Sequence, residues 1–152
     1  MADRRAVKSM LAGQLALAAA ALFTGAAIYV NVAEQPARLA LDDRASLAEW
    51  KPAYKRGFAM QAPLAIIGFL LGLIAARSAM DWRCLAGALL LLANWPFTLI
   101  VMLPTNKLLM EIPPENAGPK SRELIRTWGR LHAVRSGLSA TAAAFFLWAS
   151  LQ

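Results

Sequence analysis

Four side chains that do or orient chemistry recur at helical spacing toward the C-terminus: Trp128, His132, Arg135 and Ser139 fall at i, i+4, i+7 and i+11. That spacing puts them on one face of a helix. His132 is the only histidine in 152 residues, and imidazole is the side chain suited to taking and returning a proton near neutral pH. With Arg135 one turn on, the stripe pairs a candidate general base with a cation able to meet developing negative charge. Apolar residues come next, so the pair lies at the mouth of a membrane-length segment, where an ionisable group is costly unless it faces a bundle interior. The plainer alternative is an arginine snorkelling to the headgroups and a histidine bonded at the interface.

Other polar side chains can be placed relative to that mouth. Asn31, Glu34 and Arg38 share a face if the helix continues through Pro36; if it stops there, they form an interfacial exit with a surface ion pair worth little. Asn94-Trp95-Pro96 brings an amide and a proline into the middle of an apolar run, where the amide needs a partner. Trp50, Tyr54 and Trp128 stand near that mouth and Trp95 at depth in the third apolar run, with Asn106 and Arg38 at the rim. Individually, Trp50 and Tyr54 also fit an aromatic belt at headgroup level. Cys84 is the single cysteine, which excludes an internal disulfide and a cysteine-pair redox enzyme.

The elements that must position these groups are apolar helices. A chain that is 59% hydrophobic is too apolar for an ordinary soluble domain of its length. Segments 10–30, 58–76, 85–103 and 133–151 are each long enough to cross about 30 Å of hydrocarbon as helices. The expected fold is all-α: one integral membrane domain over 1–152, a four-transmembrane-helix antiparallel bundle with two longer loops on one membrane side. The formal charge of +7 sits at span ends and in loops, which points to lipid headgroups rather than nucleic acid. Arg4, Arg5 and Lys8 precede the first apolar run, which exceeds a signal-peptide core and lacks a clear cleavage site, so it reads as a retained span. Asp42 or Asp43 is expected to cap a short helix ending near Pro52, and Ser121 a helix from Arg122 running into the fourth span. Gly68 and Gly72 form a GxxxG spacing that suits close helix approach, within the chain or between copies.

Four antiparallel spans collect Glu34, Arg38, Trp50, Tyr54, Asn106, Trp128, His132 and Arg135 on one side. Asn94, roughly 14 Å inward from Leu103 at 1.5 Å per residue, could floor a cavity beneath them. Ten lysines and arginines on that side against five on the other favour a cytoplasmic face for it, whereas the basic N-terminus argues the opposite orientation. The halves look faintly alike: Trp50-x3-Tyr54 precedes the second span as Trp128-x3-His132 precedes the fourth, and a proline closes both odd spans.

Asn31-Val-Ala-Glu34-Gln-Pro36-Ala-Arg38, Asn94-Trp95-Pro96-Phe-Thr, Leu103-Pro104-Thr105-Asn106-Lys107 and Trp128-Gly-Arg-Leu-His132-Ala-Val-Arg135 together resemble the anthrone oxygenase-like family of small four-helix membrane proteins. The resemblance implies oxidation by O2 of an anthrone, a tricyclic phenol-ketone, or another aromatic phenolic molecule, by a monooxygenase in the cell membrane. An anthrone's doubly benzylic carbon is acidic enough for a base to form an enolate that reduces O2, so no metal or other cofactor is required. On that implication His132 is the base, Arg135, Asn94 and Asn106 stabilise the oxyanion, Glu34 orients His132 or pairs with an arginine, and Trp50, Tyr54, Trp95 and Trp128 form flat walls for the flat substrate, with Asn106 and Arg38 at the rim. The alternatives are a non-catalytic membrane protein holding a lipid or quinone in a polar-rimmed cavity, and a haem or metal protein drawing on His132, Glu34, Tyr54 or Met102. Expected partners are the bilayer, a lipophilic aromatic ligand and a second copy of the chain.

Overall fold

The computed structural model describes the backbone of residues 2–151 and the side chains of 7–151; the side chains of Arg4 and Arg5 in the basic N-terminal cluster lie outside the described residues. Four helices carry the described chain: α1 (Val7–Leu39), α2 (Asp43–Ala79), α3 (Trp82–Glu111) and α4 (Pro119–Ser150). They pack in a ring in chain order, α1 against α2, α2 against α3, α3 against α4 and α4 back against α1. This is the expected all-helical antiparallel bundle.

Proline shapes α1 and α3 in the same way. Pro36 has no N–H for the carbonyl four residues back, and the preceding Gln35 N–H bonds five residues back, to Val30, closing a π-helical segment over Val30–Glu34. In α3, Leu103 N–H bonds to Thr98 and closes a π segment over Thr98–Met102, again two residues short of a proline, Pro104. Both helices continue past their prolines: of the two readings of Pro36 the structure has the continuing helix, and Pro104, expected to close its span, follows a wide turn inside one long helix.

The helix expected to break near Pro52 does not. Asp42 accepts from Ala45 N–H at 2.9 Å, and α2 then runs without interruption through Pro52 and Pro63 to Ala79. An internal proline costs about 3 kcal/mol, and full burial of Leu47 and Trp50 in the turn that leads to it offsets it. α4 begins at Pro119 rather than Arg122, with Ser121 Oγ accepting from Gly118 N–H at 3.0 Å. The two polar connections are thus mostly helical extensions of the spans.

Among the described residues three helices, α1 to α3, are long and apolar enough to cross a membrane, and the more polar α4 completes the bundle of four. Its polarity faces inward: Arg135 is 8% exposed, and Ser139 is fully buried. The interior is close-packed around Phe23, Leu91 and Phe146, with alanines between them. A Cβ on Gly68 would collide with the Leu91 side chain, and one on Gly72 would stand 2.7 Å from Phe146. The GxxxG pair therefore serves contacts within the chain.

Candidate active site

His132 is 2% exposed and faces the π segment of α1. Its Nδ1 lies 3.0 Å from Asn31 Oδ1. The orientation of the Asn31 amide is set independently, because its Nδ2 donates to the Gly129 carbonyl at 2.9 Å. Ser136 Oγ donates to the same Oδ1 at 2.7 Å. An amide oxygen only accepts, so the neutral ring carries its proton on Nδ1 and presents the lone pair on Nε2. Gly129 also lets α1 come close, since a Cβ there would meet the Gln35 side chain at 2.6 Å, and Gln35 Nε2 donates to Ile125 O at 2.8 Å.

One turn deeper, an Nη of Arg135 donates to Gln61 Oε1 at 2.9 Å, and its guanidinium carbon stands 5.3 Å from the centre of the Phe23 ring. Arg135 Nε is buried without a partner, and so is Asn94 Oδ1. Asn94 spends its Nδ2 on Leu91 O at 3.1 Å, within its own helix. Its free atom is therefore an acceptor, whereas an oxyanion needs a donor. Arg135 and Asn94 line a narrow crevice with Phe58, Ala62, Ala65 and Trp95, in which Trp95 Nε1 donates to Ala62 O at 3.3 Å.

Arg38 and the aromatic residues form a separate layer toward the loop side. Arg38 is 2% exposed and makes ion pairs with both Glu34 and Glu49, besides donating to Gln35 Oε1 at 2.7 Å. Its guanidinium carbon lies 5.5 Å from the centre of the Trp128 ring. Trp50 stacks on Tyr54 at 5.0 Å and meets Trp128 edge-on at 5.8 Å, and Trp128 lies 4.9 Å from His132. Asn106 Nδ2 reaches the Tyr54 hydroxyl at 3.4 Å. These rings pack on one another.

The structure thus brings His132, Trp128, Trp50, Tyr54 and Asn106 into one chain of contacts. Arg135, Asn94 and Trp95 meet at the crevice, and Glu34 joins Arg38 instead of His132. Asn31, Ser136, Gln61 and Glu49 were not among the expected site residues. Gln61 could have been found as an amide within the apolar run of the second span, and Asn31 from the face it shares with Glu34 and Arg38.

The anthrone oxygenase family model matches residues 50–145, more than half of the chain. This chain belongs to the anthrone oxygenase family. The matched stretch carries Trp50, Tyr54, Asn94, Trp95, Asn106, Trp128, His132 and Arg135, while Asn31, Glu34 and Arg38 lie ahead of it. The chain is also similar to an anthrone oxygenase of Claviceps purpurea (strain 20.1), at 27% identity over 143 residues, covering 85% of this chain and 82% of that protein. No solved structure matches it. Among the described residues no three of His, Cys, Asp and Glu converge as a metal-ligand cluster would.

Proposed function

We propose that the protein is an oxygenase of the cell membrane that converts the activated CH2 of an anthrone, or of a similar lipophilic phenol-ketone, to a carbonyl with O2 and without a cofactor. The observation that carries this reading is the Asn31–His132 bond, which leaves the Nε2 lone pair of a buried histidine available as base. The protein supplies proton abstraction: Nε2 takes one hydrogen of the CH2 as a proton, and the electron pair spreads into the adjacent ketone as an enolate. Arg135, one turn along α4, provides the positive charge that favours the anion in a low-dielectric interior. The enolate passes one electron to O2, and the carbon radical and superoxide combine to form a C–O bond. The peroxide anion so formed takes back the proton held at His132 Nε2, and the hydroperoxide then releases water, its O–O bond breaking as the second C–H proton passes to the departing hydroxide. The balance is CH2 plus O2 to C=O plus H2O, with no external reductant.

A lipophilic substrate of this kind dissolves in the bilayer that surrounds α1 to α3, so the reading matches the membrane character of the chain. The test is O2 uptake by detergent-purified protein given a model anthrone, with His132→Ala in parallel and metal content measured on the same sample. Uptake one-to-one with quinone formed in metal-free protein, reduced roughly 10²- to 10⁴-fold in the variant, is the expected result. Uptake no faster than autoxidation removes the oxygenase reading and leaves a ligand-binding membrane protein.

A further inference from the structure

We infer that the crevice between α2 and α3 is the O2 site, reached from the hydrocarbon of the membrane and ending on Arg135. The inference rests on the oxygenase reading above and adds to it where the second substrate binds. Phe58 and Leu99 line the crevice and are 40% and 49% exposed on helices long and apolar enough to cross the membrane, so its mouth opens to lipid. O2 is apolar and concentrates in hydrocarbon relative to water. The gap exists because α2 presents Ala62 and Ala65 opposite the Trp95 ring, and it has room for about one water-sized molecule. That excludes a tricyclic substrate and admits a diatomic gas.

The inner end has the chemistry that one-electron reduction of O2 needs. Superoxide is an anion, and the electron transfer that makes it is favoured by a fixed cation in a dry site. Arg135 is 8% exposed; its Nη is committed to Gln61, and its Nε is without a partner. As a fixed charge lining the crevice, the guanidinium favours superoxide formed beside it and gains nothing from neutral O2, so it acts on the step rather than on binding. His132 stands three residues earlier on α4, about 4.5 Å along the helix axis. The proposed base is thus about one helical turn along α4 from the cation that lines the crevice. The competing occupant is one water held in the crevice beside Arg135 and Asn94.

Two measurements on the full-length protein decide between them. Xenon, an inert stand-in for O2, should occupy the crevice in pressurised crystals; an ordered water there that xenon does not displace overturns the inference. In steady-state kinetics, Ala62→Leu fills the gap and should raise the KM for O2 by about tenfold or more, with the KM for the anthrone unchanged. Leu99→Ala widens the mouth and should lower it, while Ile74→Ala, an equally lipid-facing change away from the crevice, leaves it alone. Equal effects on both KM values, or none on that for O2, overturn the assignment. Such a result in protein that still consumes O2 with an anthrone removes only the O2 site, whereas absence of uptake in the unmodified protein removes the oxygenase reading itself.

Discussion

At the scale of single residues, the arrangement turns on which atom of a side chain is free. In the proposed mechanism His132 acts through Nε2 because Asn31 occupies Nδ1, and Asn31 is oriented because the Gly129 carbonyl occupies its Nδ2. The chain has one histidine, so 15N-histidine labelling gives a single pair of ring signals. Near neutral pH the native protein should show Nδ1 protonated and Nε2 bare. Asn31→Ala should return a mixture of tautomers and lower kcat on the order of 10²-fold, with the bundle still folded. An unchanged pair of signals in that variant would show that Asn31 does not set the tautomer. Arg38 differs in kind: paired with Glu34 and Glu49 and set against the Trp128 ring, it holds the loop-side layer together.

At the scale of elements, the two π segments do the positioning. A π turn adds one residue to a helical turn, and removing it rotates the helix on its N-terminal side against the helix on its C-terminal side by about 100°. Pro36→Ala restores the N–H that an ordinary α-helical register uses. It should therefore turn Asn31 away from His132, giving the mixed-tautomer spectrum and reduced activity at unchanged far-UV helix content. Retention of the native spectrum would mean that packing, not the proline, maintains the π turn. On the opposite end of the bundle, Asp81 caps α3 through Arg83 N–H at 2.9 Å and pairs with the Arg83 guanidinium at 2.8 Å. The side-chain hydrogen bond from Arg83 holds the Asp81 carboxyl below its ordinary value of 3.8. The stability it adds is therefore present above that value and fades as pH falls through the lower folded value. Thermal unfolding in detergent, measured from neutral pH to below about 4, should show this acid loss reduced in Asp81→Asn.

At the scale of the whole molecule, close approach at a few glycines sets how the ring closes. Gly72→Ala would press a methyl into Phe146 at 2.7 Å and Ala88 at 3.0 Å. Overpacking of this kind costs about 1–3 kcal/mol and should lower the unfolding midpoint. Gly57→Ala, where an added Cβ meets nothing within 4 Å, should not. The connections at the loop side are locked to neighbouring helices. Arg122 pairs with Asp43 and donates to Leu39 O at 2.8 Å and Leu41 O at 2.5 Å, tying the α1–α2 link to α4. Lys51 Nζ donates to Met110 O at 3.0 Å and Ile112 O at 2.6 Å, closing the C-terminus of α3.

By itself the sequence determined the class of the protein and the neighbourhood of its site. Apolar runs of membrane length permit only helices, because backbone groups in hydrocarbon must be satisfied within the segment. Short connections make successive helices antiparallel neighbours, which brings Trp128, His132 and Asn106 to the same side as Trp50 and Tyr54. The polarity of α4 was visible as Arg135 and Ser139, since such groups must face the interior. Only the tertiary structure decided the pairings, because helix rotation depends on packing across the ring and on π turns that local propensity does not announce. The sequence leaves Pro36 open between a helix end and a continuing helix, and the wide turn before it, with Gly129 opposite, is what carries Asn31 to His132. Likewise the opening beside Ala62 arises from two spans failing to close over small side chains, a property of the pair and of neither sequence alone.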